Sequence, residues 1–157
     1  MRFTFQNDHW CYEAVTLADL PTLAAHILDH TEHQVNLLEA PMGSGKTTLC
    51  NALLESWGSE DRGSSPTFAL IEEHYGPKGR FYHLDAFRLT SELEAYDVGL
   101  EEYLEDECPM WIEWGEKVRS LLPYTVGVVY LAVTSSGQRK VHFYPSLSTQ
   151  KIAWNYE

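Results

Sequence analysis

A chain of 157 residues, 44% hydrophobic and 22% charged, has the size and composition of one globular domain with a sizeable core. No run approaches the roughly 18 apolar residues of a membrane helix, and the opening MRFTFQNDHW lacks a signal-peptide core, so neither a membrane span nor export is expected. The formal net charge of −12 argues against direct, tight binding of nucleic acid.

Arg2 to Phe5 reads as a short edge strand. Cys11, Cys50 and Cys108 are odd in number, widely spaced and without a Cys-x-x-Cys pair, which suits reduced thiols packed in a cytoplasmic protein. Asp19 is placed to cap a helix with Pro21 in its first turn, and Leu20, Leu23, Ala24, Ile27 and Leu28 then share one apolar face. Residues 35–40 form an apolar run of the kind buried in a parallel sheet.

The loop Ala40-Pro41-Met42-Gly43-Ser44-Gly45-Lys46-Thr47-Thr48 follows at once, and a helix is expected from Lys46 to Trp57, closed by Gly58. Residues 58–66 are polar and loop-like. Residues 67–75 and 80–87 are β-rich and flank Gly76-Pro77-Lys78-Gly79, an expected hairpin. Ser91 and Glu94 make a capping box for a helix that Gly99 interrupts before a second turn through Leu104.

Eight of the 23 acidic residues fall between Glu92 and Glu107 with no lysine or arginine among them. That run is either a solvated helix face or a docking face for a basic partner protein. Residues 108–114 read as an apolar strand and 116–122 as a short helix ended by Pro123. Residues 126–133 and 140–144 flank Ser135-Ser136-Gly137-Gln138 as a second hairpin. The sum is an α/β fold: a P-loop NTPase-like mixed sheet flanked by helices, with β-hairpins, over residues 1–144, followed by a tail over 145–157.

The loop carries the chemistry. Wrapping a phosphate in backbone N–H groups needs residues without a Cβ at the tight positions, which Gly43 and Gly45 supply. The helix beginning at Lys46 adds its positive end, Lys46 a charge for the terminal phosphates, and Thr47 a hydroxyl for magnesium, with Thr48 nearer the inner phosphate. Ala40 stands where the usual pattern has glycine, but that position ends the strand and need not touch phosphate. No lysine beyond the loop follows an asparagine, so the guanine-reading Asn-Lys-x-Asp is missing and ATP is the expected nucleotide. Asp85 ends RFYHLD and Glu113 ends MWIE; one would hold magnesium and the other orient an attacking water. His83 reads as a packed, hydrogen-bonded residue, and Arg88 as a partner for the acidic helix beside it.

In order, the loop, SPTF (65–68), HLDAFRL (83–89) and WIEWGE (111–116) resemble the TsaE family, the ATPase component of bacterial tRNA threonylcarbamoyladenosine biosynthesis, from about Thr16 to Arg139. The resemblance implies that Lys46 and Thr47 bind phosphate and Mg2+, and that Thr67 belongs to a switch-like loop sensing the γ-phosphate. It implies that Asp85 and Glu113 are the acidic metal and catalytic residues, Glu113 being the direct magnesium ligand. Trp114 and Glu116 would sit beside the nucleotide, and Thr16 and Arg139 would be outer nucleotide contacts alongside Gly43, Ser44, Gly45 and Thr48.

It further implies a weak ATPase stimulated by a two-protein threonylcarbamoyl-transferase complex, with tRNA engaged only indirectly. The sequence departs from the family in reading Ala40-Pro41-Met42-Gly43 where Gly-Asp-Leu-Gly is common, and in carrying Phe87 where tyrosine is commoner. A small-molecule kinase and a non-enzymatic nucleotide-gated scaffold are the alternative readings. The kinase lacks its arginine-bearing lid, since the segment after Asp85 offers only Arg88 before the acidic run.

Overall fold

The computed structural model describes residues 1–59 and 71–154. Its strands are β1 (Arg2–Gln6), β2 (His9–Val15), β3 (Val35–Glu39), β4 (Ile71–Gly76), β5 (Gly79–Asp85), β6 (Met110–Glu113), β7 (Thr125–Val133) and β8 (Arg139–Ser148). They form one sheet in the order β1-β2-β8-β7-β3-β6-β5-β4. β5, β6, β3 and β7 run parallel, while β4 on one side and β8, β2 and β1 on the other are antiparallel additions. All five residues of β3 are buried, as a central strand covered on both faces requires.

Two apolar layers cover the sheet. Helices α1 (Leu20–Asp29) and α2 (Lys46–Trp57) lay Leu23, Ala24, Ile27, Leu49, Cys50 and Leu53 over Leu38, Phe81, Trp111, Val129 and Phe143. On the opposite face, α3 (Glu92–Asp97), α4 (Leu100–Glu105), a 3-10 segment (Gly115–Leu121) and the C-terminal Ile152 cover Leu37, Leu84, Ile112, Val128 and Tyr130. Gly58 ends α2 at φ 90°, the left-handed closure expected there. No described helix is long and apolar enough to cross a membrane.

Several expectations change in detail. Asp19 occupies the N-cap position of α1 with Pro21 in the first turn, as expected, but its side chain makes no capping bond there; its carboxylate accepts hydrogen bonds from the Thr16 backbone N–H and hydroxyl, both at 2.8 Å, closing a 3-10 turn (Leu17–Asp19). Ser91 accepts from the Glu94 N–H as expected, but the Glu94 carboxylate reaches back to Thr90 rather than to Ser91. Among the described residues Arg88 makes no ion pair with the acidic helices; Lys117 instead fills this corner, donating to the carbonyls of Phe87 (2.6 Å) and Leu89 (3.2 Å). Cys108 is half-buried, whereas Cys11 and Cys50 are buried. The last strand continues past Tyr144 to Ser148.

β2 is an element the sequence reading left out. Asn7 and Asp8 turn the chain with φ of 51° and 63°, the left-handed pair of a tight hairpin, and β1 folds back on β2 with Arg2 opposite Glu13. The alternation that would reveal β2 is broken by a bulge between Tyr12 and Val15, where Ala14 adopts φ 53°.

Candidate functional site

The glycine-rich loop leaves β3 at the C-terminal ends of the parallel strands, where α/β sheets place their ligands. Gly43 (φ 78°) and Gly45 (φ 110°) take conformations that side chains disfavour, and Gly45 sits at the N-terminus of the 12-residue α2. Ser44 is buried and pins the turn, its hydroxyl donating to the Pro41 carbonyl at 2.6 Å. Arg139 steadies the loop from β8, Nε donating to the Ser44 carbonyl at 3.0 Å and Nη1 to the Gly137 carbonyl at 2.9 Å.

Strand register delivers the acids. Glu113 lies opposite Leu38 on one side and Asp85 on the other, so both carboxylates end neighbouring strands at the level where β3 turns into the loop. They line one cavity of about 430 Å³ with Gly43, Lys46, Thr47 and Trp114. Among the described residues Lys46 is the sole cation lining it. Its ammonium lies 3.5 Å from the Ala40 carbonyl and 4.2 Å from the centre of the Trp114 ring. Trp114 itself is held in the left-handed region (φ 59°, ψ 42°), an uncommon conformation for a bulky residue, and Phe87 packs 5.1 Å from its ring.

A second cavity, of about 400 Å³, opens on the other side of the same loop. Thr16, Ser44, Thr48 and Arg139 give it polar edges, while Val15, Leu17, Leu20, Leu131 and Val141 give it apolar walls. The two spaces share Gly43, Gly45 and Thr48. One side of the loop thus offers an apolar slot and the other a cation facing two carboxylates. Two carboxylates and a hydroxyl are hard oxygen donors, the set a magnesium ion takes together with phosphate oxygens.

Among the expected site residues, Thr67 and the rest of SPTF lie outside the described residues. Glu116 lines neither cavity; it stands on the 3-10 segment near Glu39. Sequence reading missed Glu39, the last residue of β3. It is 6% exposed, and its Oε1 finds no hydrogen-bond donor among the described residues. Burial, reinforced by the charge of Glu116 and opposed by that of Lys46, raises its pKa to about 7. The available signal was a lone acid inside the apolar run VNLLEA.

His83 is packed and hydrogen-bonded as expected, Nε2 lying 2.7 Å from Glu113 Oε2. Burial disfavours its charged form, but contacts with Cys50, Glu113 and Glu72 outweigh that and hold its pKa well above the ordinary value.

Residues 15–141 match the model of the family described as threonylcarbamoyl adenosine biosynthesis protein TsaE. The chain belongs to the TsaE family.

It is similar to the tRNA threonylcarbamoyladenosine biosynthesis proteins TsaE of Treponema pallidum (32% identity over 76% of this chain and 87% of that protein) and of Bacillus subtilis (30% over 68% and 66%). The Haemophilus influenzae TsaE is 35% identical over 60% of each chain. The crystal structure of Bacillus subtilis YdiB shares the fold, with a TM-score of 0.67 over 92% of this chain and 89% of that one at 21% identity. TsaE proteins are P-loop NTPase-like and take part in tRNA threonylcarbamoyladenosine biosynthesis, and family membership carries nucleotide binding with it.

Proposed function

We propose that this TsaE-family chain is a weak, Mg2+-dependent ATPase that acts on a two-protein threonylcarbamoyl-transferase complex rather than on tRNA directly. The observation that carries the reading is the strand register that sets Asp85 and Glu113 side by side, facing Lys46 and Thr47 across one cavity. Lys46 neutralises the terminal phosphates, and the backbone N–H groups from Gly43 to Thr48, with the helix end behind them, hold the phosphate chain. Magnesium, held by Thr47 and Glu113 with Asp85 beside them, would draw charge from the phosphate oxygens.

In this reading Asp85 orients the attacking water. The apolar slot between Leu17 and Leu131 accepts the nucleoside, with Thr16 and Arg139 at its edge. Trp114 and Phe87 screen the phosphate end from bulk water. The acidic surface supports the division of labour, because a chain of charge −12 repels a phosphate backbone and suits a basic protein partner.

The decisive experiment measures ATP hydrolysis by the chain alone, then with the partner pair, then with the pair and tRNA. Turnover should rise only in the full mixture and vanish in Glu113→Ala. A rate indifferent to the partners, or partner output preserved in Glu113→Ala, overturns the reading in favour of a scaffold.

A further inference from the structure

Directly beneath α2, three donors of different type converge behind the phosphate-side cavity. Cys50 hangs from α2 one turn after Lys46, His83 stands on β5, and Glu113 ends β6. The Cys50 Sγ, a His83 ring nitrogen and a Glu113 carboxylate oxygen lie within 4.8 Å of one another. Cys50 is 1% exposed and Glu113 5%, so these are interior groups on well-formed elements. The other ring nitrogen of His83, Nδ1, faces Glu72 Oε2 at 3.6 Å, and that carboxylate is itself 3.2 Å from His74 Nε2. A carboxylate behind an imidazole is the outer-shell partner that orients metal-binding histidines.

The donor set is informative. Magnesium favours oxygen donors throughout, as the Thr47, Asp85 and Glu113 side of the cavity provides. One sulfur, one imidazole nitrogen and one carboxylate oxygen instead match zinc, which takes such ligands at about 2.0–2.3 Å in a tetrahedron and often leaves the fourth position to water. Donor atoms around such an ion stand roughly 3.3–3.8 Å apart, so the His83–Glu113 pair, hydrogen-bonded at 2.7 Å, must open to admit it. Glu113 supplies the entry path, since it also lines the open cavity below the loop.

We propose that Cys50, His83 and Glu113 form a second metal site, sharing Glu113 with the magnesium site, for a borderline dication of the zinc class entering past Glu113. Binding there replaces the 2.7 Å hydrogen bond between His83 and Glu113 with bonds to the ion, which engages the Glu113 carboxylate. Inhibition of ATP turnover by the ion follows from that engagement and rests on the proposed function; the binding itself does not.

The test uses Co2+ as a spectroscopic probe on the full chain without nucleotide, followed by displacement with Zn2+ against a chromophoric chelator. One Co2+ per chain should bind with a thiolate-to-metal charge-transfer band, and zinc should remove the band stoichiometrically. Cys50→Ser should abolish the band and weaken zinc binding by at least about 10-fold, whereas Cys11→Ser and Cys108→Ser should leave both unchanged. His83→Gln should weaken binding to a similar degree, and Glu72→Gln less.

Absence of stoichiometric Co2+ uptake, or a band that survives Cys50→Ser, overturns the proposal and leaves the cluster as a hydrogen-bonded support for Glu113. Circular dichroism confirms that each variant is folded, and Cys50→Ala serves the same titration if the serine variant is not. Because no nucleotide is present, failure here is separable from failure of the ATPase reading.

Discussion

Glu39 makes a quantitative prediction. It ends the central strand, is 6% exposed, leaves Oε1 without a donor among the described residues, and has its pKa raised from the ordinary 4.5 to about 7. A carboxylic acid with a raised folded-state pKa binds its proton more tightly in the native than in the unfolded chain. Stability is therefore undiminished below about pH 4.5, falls as pH rises through the window up to about 7, and levels off above it.

At about 1.4 kcal/mol per unit, the cost of ionising Glu39 at alkaline pH is about 3 kcal/mol, a ceiling that relaxation around the side chain lowers. Glu39→Gln keeps the shape and removes the titration. Urea unfolding of both proteins from about pH 4 to pH 8 should show equal stability at the acid end and a variant more stable by up to about 3 kcal/mol at the alkaline end. Parallel stability curves across that range would refute the assignment of a strained carboxylate at the base of the loop.

Lys46→Ala removes the sole cation lining the phosphate-side cavity among the described residues and should weaken ATP binding by about 10- to 100-fold, the worth of a charge-assisted hydrogen bond; unchanged affinity by calorimetry rules out the loop assignment. Gly127→Ala places a Cβ on β7 where it overlaps Oδ1 of the buried Asn36, and should cost about 1–3 kcal/mol in chemical unfolding. His26 is held below its ordinary pKa by burial and then by the neighbouring His30, so the unfolded chain takes up this proton more readily than the native one. The His26 contribution is therefore complete above about pH 6.5 and lost as pH falls; its NMR titration midpoint should lie below the ordinary histidine value, and His26→Gln should reduce the acid-side loss of melting temperature. A gel shift should detect no sub-micromolar binding of tRNA by the chain alone at physiological salt, as its charge of −12 requires.

Much of this molecule follows from local rules. Val35, Leu37, Leu38 and Ala40 make the run 35–40 mostly apolar, so a doubly covered strand was legible, and Gly43, Gly45 and Lys46 announced the phosphate loop because only their backbone and charge serve that purpose. Gly58, Gly99 and the Pro77-Lys78 turn likewise punctuate the chain where backbone conformation alone demands it. Asp85 and Glu113 stood out as acids at the ends of apolar strands.

Their adjacency did not stand out, because strand order is a tertiary choice: β6 inserts between β3 and β5, and only that pairing puts the two carboxylates in register. The same holds for β2, whose bulge erases the alternation that sequence patterns rely on, and for Arg139, which reaches the loop because β8 pairs with β7 and β7 with β3. Glu39 is the sharpest case. A glutamate before a glycine-rich turn is ordinary in a sequence; it becomes a perturbed acid only when the sheet, Glu116 and Lys46 close around it and exclude the water that would have solvated its charge.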